Sequence, residues 1–101
     1  MIVQTNDWKD AVDVDHALVV FSATWCQPCR NLKPQLVKVN SQIDSDIYIV
    51  DVDMVGQDVL DFYNIQSVPT VFIMERGKVV RAVDARTAPE ILEQMSEVIH
   101  S

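Results

Sequence analysis

Apolar positions in this chain alternate between two patterns, unbroken β-branched runs and residues recurring every three or four positions. Met1 to Gln4 is a short apolar opening that reads as an edge strand. Thr5, Asn6 and Asp7 offer capping side chains, and Trp8, Ala11 and Val12 follow at helical spacing, which predicts a short helix with Trp8 in the core. Asp13, Asp15 and His16 form a polar connector. From Ala17 to Ala23 every residue except Ser22 is apolar and there is no alternation, the pattern of a strand covered on both faces. After Pro28 the apolar residues Leu32, Leu36, Val37, Val39 and Ile43 predict a helix, kinked where Pro34 removes a backbone donor.

Ile47 to Asp53 reads as a β-branched strand ending in carboxylates, and Val59, Leu60, Phe62 and Tyr63 belong to a short amphipathic helix. Val68 and Pro69 lead into a strand over Thr70 to Met74. Glu75-Arg76-Gly77-Lys78 is a hairpin turn, with Gly where a positive φ is cheap, and Val79 to Val83 pairs back antiparallel. Thr87-Ala88-Pro89-Glu90 has capping-box spacing and opens a last helix with Ile91, Leu92, Met95, Val98 and Ile99 on one face. The order β-α-β-α-β-α-β-β-α predicts an α/β fold, a mixed sheet with helices on both faces.

Composition narrows the function. The 101 residues suffice for one domain, spanning 1–101, and an apolar content of 49% supplies a core without disulfide support. No apolar run approaches the ~20 residues that cross a bilayer. The N-terminus carries no basic leader, so a cytoplasmic, reducing location is expected. A formal charge of −7 repels phosphate backbones and anionic lipid, which argues against direct nucleic-acid or membrane partners.

Both cysteines fall in one place, Cys26-Gln27-Pro28-Cys29, between the buried strand and the helix. A disulfide across so small a loop removes little unfolded-state entropy and is a poor staple. Its useful property is that it opens and closes. Amides at a helix start stabilise a thiolate on Cys26, making it the attacking sulfur, and Cys29 lies a turn deeper, placed to expel what Cys26 captures. A zinc site is the rival chemistry, with His16 and His100 as the only histidines. Both read as solvated residues, so neither a metal nor another bound cofactor is expected.

The run Phe21-Ser22-Ala23-Thr24-Trp25-Cys26-Gln27-Pro28-Cys29-Arg30, together with Pro34, Val68-Pro69-Thr70 and Arg76-Gly77-Lys78, resembles the thioredoxin family over nearly the whole chain. The resemblance implies a thioredoxin fold and a dithiol–disulfide oxidoreductase acting on protein clients. Cys26 would be the nucleophile, Cys29 the resolving thiol, and Pro69 a cis proline facing them. Trp25, Gln27 and Pro28 would form the rim that meets substrate, and the Val68 backbone would pair with an extended client segment. A thioredoxin reductase or equivalent donor would restore the dithiol of a monomeric protein. Pro28, and the lack of a histidine between the cysteines, favour a reductant over a secretory oxidant.

Several positions depart from the family pattern. Gln27 stands where Gly is usual, Ser22 where Trp is frequent, and Asp84 and Ala85 lie near the site of a docking Gly. Val20 and Ile49 occupy the places of a buried Asp and its Lys partner. Losing both charges together is far less costly than losing one. The functional expectation is slower release of the mixed disulfide, with water, Ser22 or Asp53 standing in for the missing base. A binding subunit or adaptor, selected for docking rather than turnover, is the alternative reading.

Overall fold

The computed structural model of the chain describes residues 2–5, 16–43 and 45–99. The expected helix around Trp8 and the terminal His100 lie outside the described residues. Everything else is arranged around the apolar run before the cysteines, which forms strand β2 (Ala17–Ser22), buried at all of its positions. Side chains on a strand point alternately to opposite faces, so a run without polar alternation is stable only when both faces are covered. Here they are. Leu18 and Val20 pack into one core cluster, while Ala17, Val19 and Phe21 pack into another.

The remaining strands are β1 (Ile2–Thr5), β3 (Ile47–Asp51), β4 (Thr70–Glu75) and β5 (Lys78–Ala82). They form one five-stranded sheet in the order β1-β3-β2-β4-β5. β3 pairs parallel with both β1 and β2, and β4 pairs antiparallel with β2 and with β5. The first cluster is closed by Leu32, Leu36 and Val39 of helix α1 (Gln27–Asn40) and by Ala88, Ile91 and Met95 of α3 (Ala88–Ile99). Across the sheet, Val59 and Leu60 of α2 (Gln57–Phe62) cover the second cluster together with Tyr63 and Ile65. Each fully buried Val, Leu or Ile in these layers contributes roughly 1.5–3 kcal/mol. The mixed sheet with helices on both faces matches the expectation from the pattern.

Several boundaries differ from the sequence reading, each for a local reason. β3 stops at Asp51, because the Asp51 carboxylate accepts the Asp53 N–H at 2.9 Å and turns the chain. Val37, one position past Leu36 and therefore about 100° around the helix, is 59% exposed. Phe62 is 76% exposed and packs its ring edge-on to Tyr63 at 4.9 Å. α1 continues through Pro34, whose missing N–H leaves one rung of the ladder unmade.

The start of α3 uses its capping residues differently from a standard box. The Thr87 hydroxyl donates to the Glu90 carboxylate at 2.7 Å, and the Ala88 N–H is taken by Gln35 of α1 at 2.9 Å. That second bond locks the two helices of one layer together. In the β4–β5 hairpin Arg76 and Gly77 take φ of 50° and 82°, the left-handed pair that a two-residue turn demands. A bulge between Ile73 and Met74 follows, and Val79 and Val80 of β5 are exposed at the sheet edge.

Val20 is 1% exposed and stands opposite Ile49 in the β2–β3 register. Val20→Asp therefore places a carboxylate among apolar side chains. We expect it to destabilise the fold by ~3 kcal/mol or more in urea titrations, with part of the loss recovered when Ile49→Lys is added. Equal stability of Val20→Asp and the parent would show that this layer is not dry.

Candidate active site

β2 ends at Ser22, and a short turn through Thr24 and Trp25 carries the chain to α1. Cys26 is the N-cap of that helix, with extended backbone at φ −93° and ψ 114°. A helix start needs acceptors for its unpaired N–H groups. Here the acceptor is sulfur: the Cys29 N–H donates to Cys26 Sγ at 3.3 Å. On its other side the Cys26 thiol donates to the Val68 carbonyl at 3.6 Å. Pro28 sits in the first helical turn, where its missing N–H costs nothing.

The turn is held from below by Arg30. Its Nε and Nη2 both donate to the Thr24 carbonyl, at 3.1 and 2.9 Å, and Nη1 donates to Gln27 Oε1 at 3.3 Å. Gln27 in turn donates to Asn31 Oδ1 at 3.1 Å. Nothing in the spacing of the cysteines pointed to Arg30 as a clamp; a cation four residues after the N-cap was the available signal.

Trp25 is 65% exposed and its indole N–H donates to Asp53 Oδ2 at 3.0 Å. It stands at the surface rather than in the core. The peptide bond between Val68 and Pro69 is cis, as the family resemblance implied, and Pro69 is buried. Ala23, Cys26 and Cys29 form a small buried cluster against Val52 and Val68. Beside it runs a groove of about 190 Å³ lined by Trp25, Val52, Leu60, Ile65 and Val68. The candidate residues Trp25, Cys26, Gln27, Pro28, Cys29, Val68 and Pro69 therefore gather at one end of the sheet, with Gln27 and Pro28 exposed at the rim.

Cys29 lies deeper, at 3% exposure. Burial raises its thiol pKa above the ordinary value, and its hydrogen bond with Cys26 raises it further. Opposing this, the Ala23 backbone and the Ser22 side chain hydrogen-bond the sulfur and favour its ionised form. Of the substitutes for the missing base considered from sequence, Ser22 reaches Cys29, whereas Asp53 is turned outward onto Trp25. Both cysteines are free thiols. Among the described residues no group of three or more His, Cys, Asp or Glu side chains is placed to hold a metal ion, and no helix is long and apolar enough to cross a membrane.

The thioredoxin family model matches residues 1–97. Thioredoxin-1 of Saccharomyces cerevisiae is 35% identical over 80 residues, covering 77% of this chain and 77% of that protein. The thioredoxin of Bacillus subtilis is 26% identical over 97 residues and 93% of each chain. Among solved structures, the thioredoxin of Trypanosoma brucei brucei superposes on all of this chain and 93% of its own with a TM-score of 0.84. Its identity of 18% makes that a likeness of fold.

A thiol whose pKa is raised by folding stabilises the folded state below its ordinary value, and that contribution is lost as pH rises through the folded one. Denaturant titrations of the reduced protein are expected to show stability falling above about pH 9. Cys29→Ala should flatten that part of the profile. An unchanged slope in the variant would show that Cys29 does not carry it.

Proposed function

Because the chain belongs to the thioredoxin family of disulfide oxidoreductases, we propose that it reduces disulfides in protein clients through its Cys-Gln-Pro-Cys pair. The observation that carries this reading is the Cys26 sulfur at the N-cap of α1, met by the Cys29 N–H at 3.3 Å. An N–H aimed at the sulfur, together with the positive end of the helix, favours negative charge there. Cys26 attacks as a thiolate. It forms a bond to one client sulfur, and the other client sulfur leaves with the electron pair of the broken disulfide. Cys29 then gives up its proton and attacks Cys26 Sγ, which closes the internal disulfide and frees the second client thiolate.

The rim supports the same reading. Trp25 presents a flat apolar surface, and the groove beside it accommodates side chains of an extended segment. The Val68 carbonyl, within reach of Cys26, is available to backbone N–H groups of such a segment. Gln27 and Pro28 border this surface from the helix side and narrow what docks there. In this reading the chain works as one monomeric domain in a reducing compartment such as the cytoplasm, without a bound cofactor. A thioredoxin reductase returns the internal disulfide to the dithiol.

Turnover of insulin with dithiothreitol, and then with a thioredoxin reductase as electron source, tests the proposal. The parent protein should accelerate reduction and Cys26→Ser should fall to background. Cys29→Ser should hold a covalent protein–client disulfide visible by mass spectrometry. A parent protein that forms no bond between Cys26 and Cys29 on oxidation would defeat the enzymatic reading. Full biological activity of a double Cys26→Ser, Cys29→Ser variant would instead favour the adaptor.

A further inference from the structure

The resolving step demands that a buried thiol lose its proton, and Cys29 is the more deeply placed of the two sulfurs. Behind it, on the side away from the client groove, lies a cavity of about 250 Å³. Cys29, Ser22 and Asp51 line it together. Ser22 and Asp51 are register partners at the ends of the parallel strands β2 and β3, so their side chains leave the sheet on the same face. That face is the one covered by α1, which carries Cys29. Ser22 is buried, lines the same cavity as Cys29, and favours the ionised form of the Cys29 sulfur. Asp51 is half-buried and is the carboxylate that lines the cavity among the described residues.

We propose that Asp51, acting through the Ser22 hydroxyl, accepts the proton of Cys29 during resolution of the mixed disulfide. The Cys29 proton passes to the Ser22 oxygen as the hydroxyl's own proton passes to the Asp51 carboxylate. In the same step a bond forms between Cys29 Sγ and Cys26 Sγ, and the bond from Cys26 Sγ to the client sulfur breaks. The electron pair of the broken bond leaves with the client thiolate, which takes a proton from solvent. The cysteine pair is oxidised and the client reduced, so the electrons balance.

Among the described residues, the other charged groups facing this space come from α1. Lys33 lines the cavity, and Arg30 borders it with its guanidinium engaged on Thr24 and Gln27. From the far side β1 contributes Gln4, which is uncharged. Asp51 already accepts the Asp53 N–H through Oδ1. An amide at position 51 preserves that bond and the turn it makes. Asp51→Asn therefore removes the base without removing the local structure.

This assignment rests on the reductase reading, and one experiment separates the two. Reduced protein is mixed in a stopped-flow instrument with dithiobis(nitrobenzoate), which releases one coloured thiolate when Cys26 attacks and a second when Cys29 resolves. Asp51→Asn should leave the first burst unchanged and slow the second about a hundredfold near neutral pH. The gap should close as pH rises past the ordinary thiol range, where Cys29 ionises directly to solvent. Ser22→Ala should show the same loss, and the double variant no more than either alone, because the two groups serve one transfer. A second burst unaffected by Asp51→Asn, or slowed equally at every pH, would overturn the role of Asp51. Absence of any first burst in the parent protein would overturn the reductase reading instead.

Discussion

A helix must find partners for its first amide groups, and in α1 the partner is a sulfur atom. The bond from the Cys29 N–H to Cys26 Sγ makes one atom serve both as structural cap and as the proposed nucleophile. The rest of the fold exists to hold that atom still. Strand β2 is buried on both faces and fixes where the turn begins. Arg30 ties the turn to the helix that follows it. Val68, arriving from the loop before β4, meets the sulfur from the opposite side. The continuous run from β2 into α1 and the distant loop carrying Val68 therefore converge on one thiol.

Much of this was legible in the sequence, and the reasons are specific. The unbroken run before Cys26 could be stable only as a central strand, so its two-sided burial followed from hydrophobicity alone. The hairpin was legible because a two-residue turn requires positive φ and Gly77 supplies it without strain. Val37 and Phe62 were harder. Both are apolar residues at plausible helical spacing, yet each points to solvent, because spacing alone does not say how wide the covered stripe is. Asp51 escaped notice for a similar reason. In sequence it is one of two strand-end carboxylates, and only the register of β3 against β2 separates it from Asp53, which turns outward to Trp25.

The interior beneath the site shows how an apolar layer and a reactive thiol are reconciled. Val20 and Ile49 face each other across parallel strands within an apolar cluster, and together they avoid the desolvation cost that a charged pair would carry there. One pleat further along the same strands, Ser22 and Asp51 stand opposite each other, where the layer opens into a cavity. Polar groups are thus kept out of the packed centre and admitted at its border, where the sheet ends and α1 begins. Ile49 lines the cavity as well, so the apolar layer and the polar border meet at that residue.

Sheets that end in solvent carry a hazard, and β5 bears on it. As the last strand in the order it has, among the described residues, no further strand paired along one side, and Val79 and Val80 are exposed along it. Such an edge is a template on which another molecule's strand can add. Here the strand is five residues long and the bulge between Ile73 and Met74 interrupts the register that a long flat ribbon would need. Lys78 and Arg81 flank the two valines with cations, and Arg81 is held by Glu97 of α3. Shortness, irregular pairing and nearby charge together discourage ribbon-to-ribbon stacking, so the margin of the sheet is poorly suited to the strand addition that its open backbone would otherwise invite.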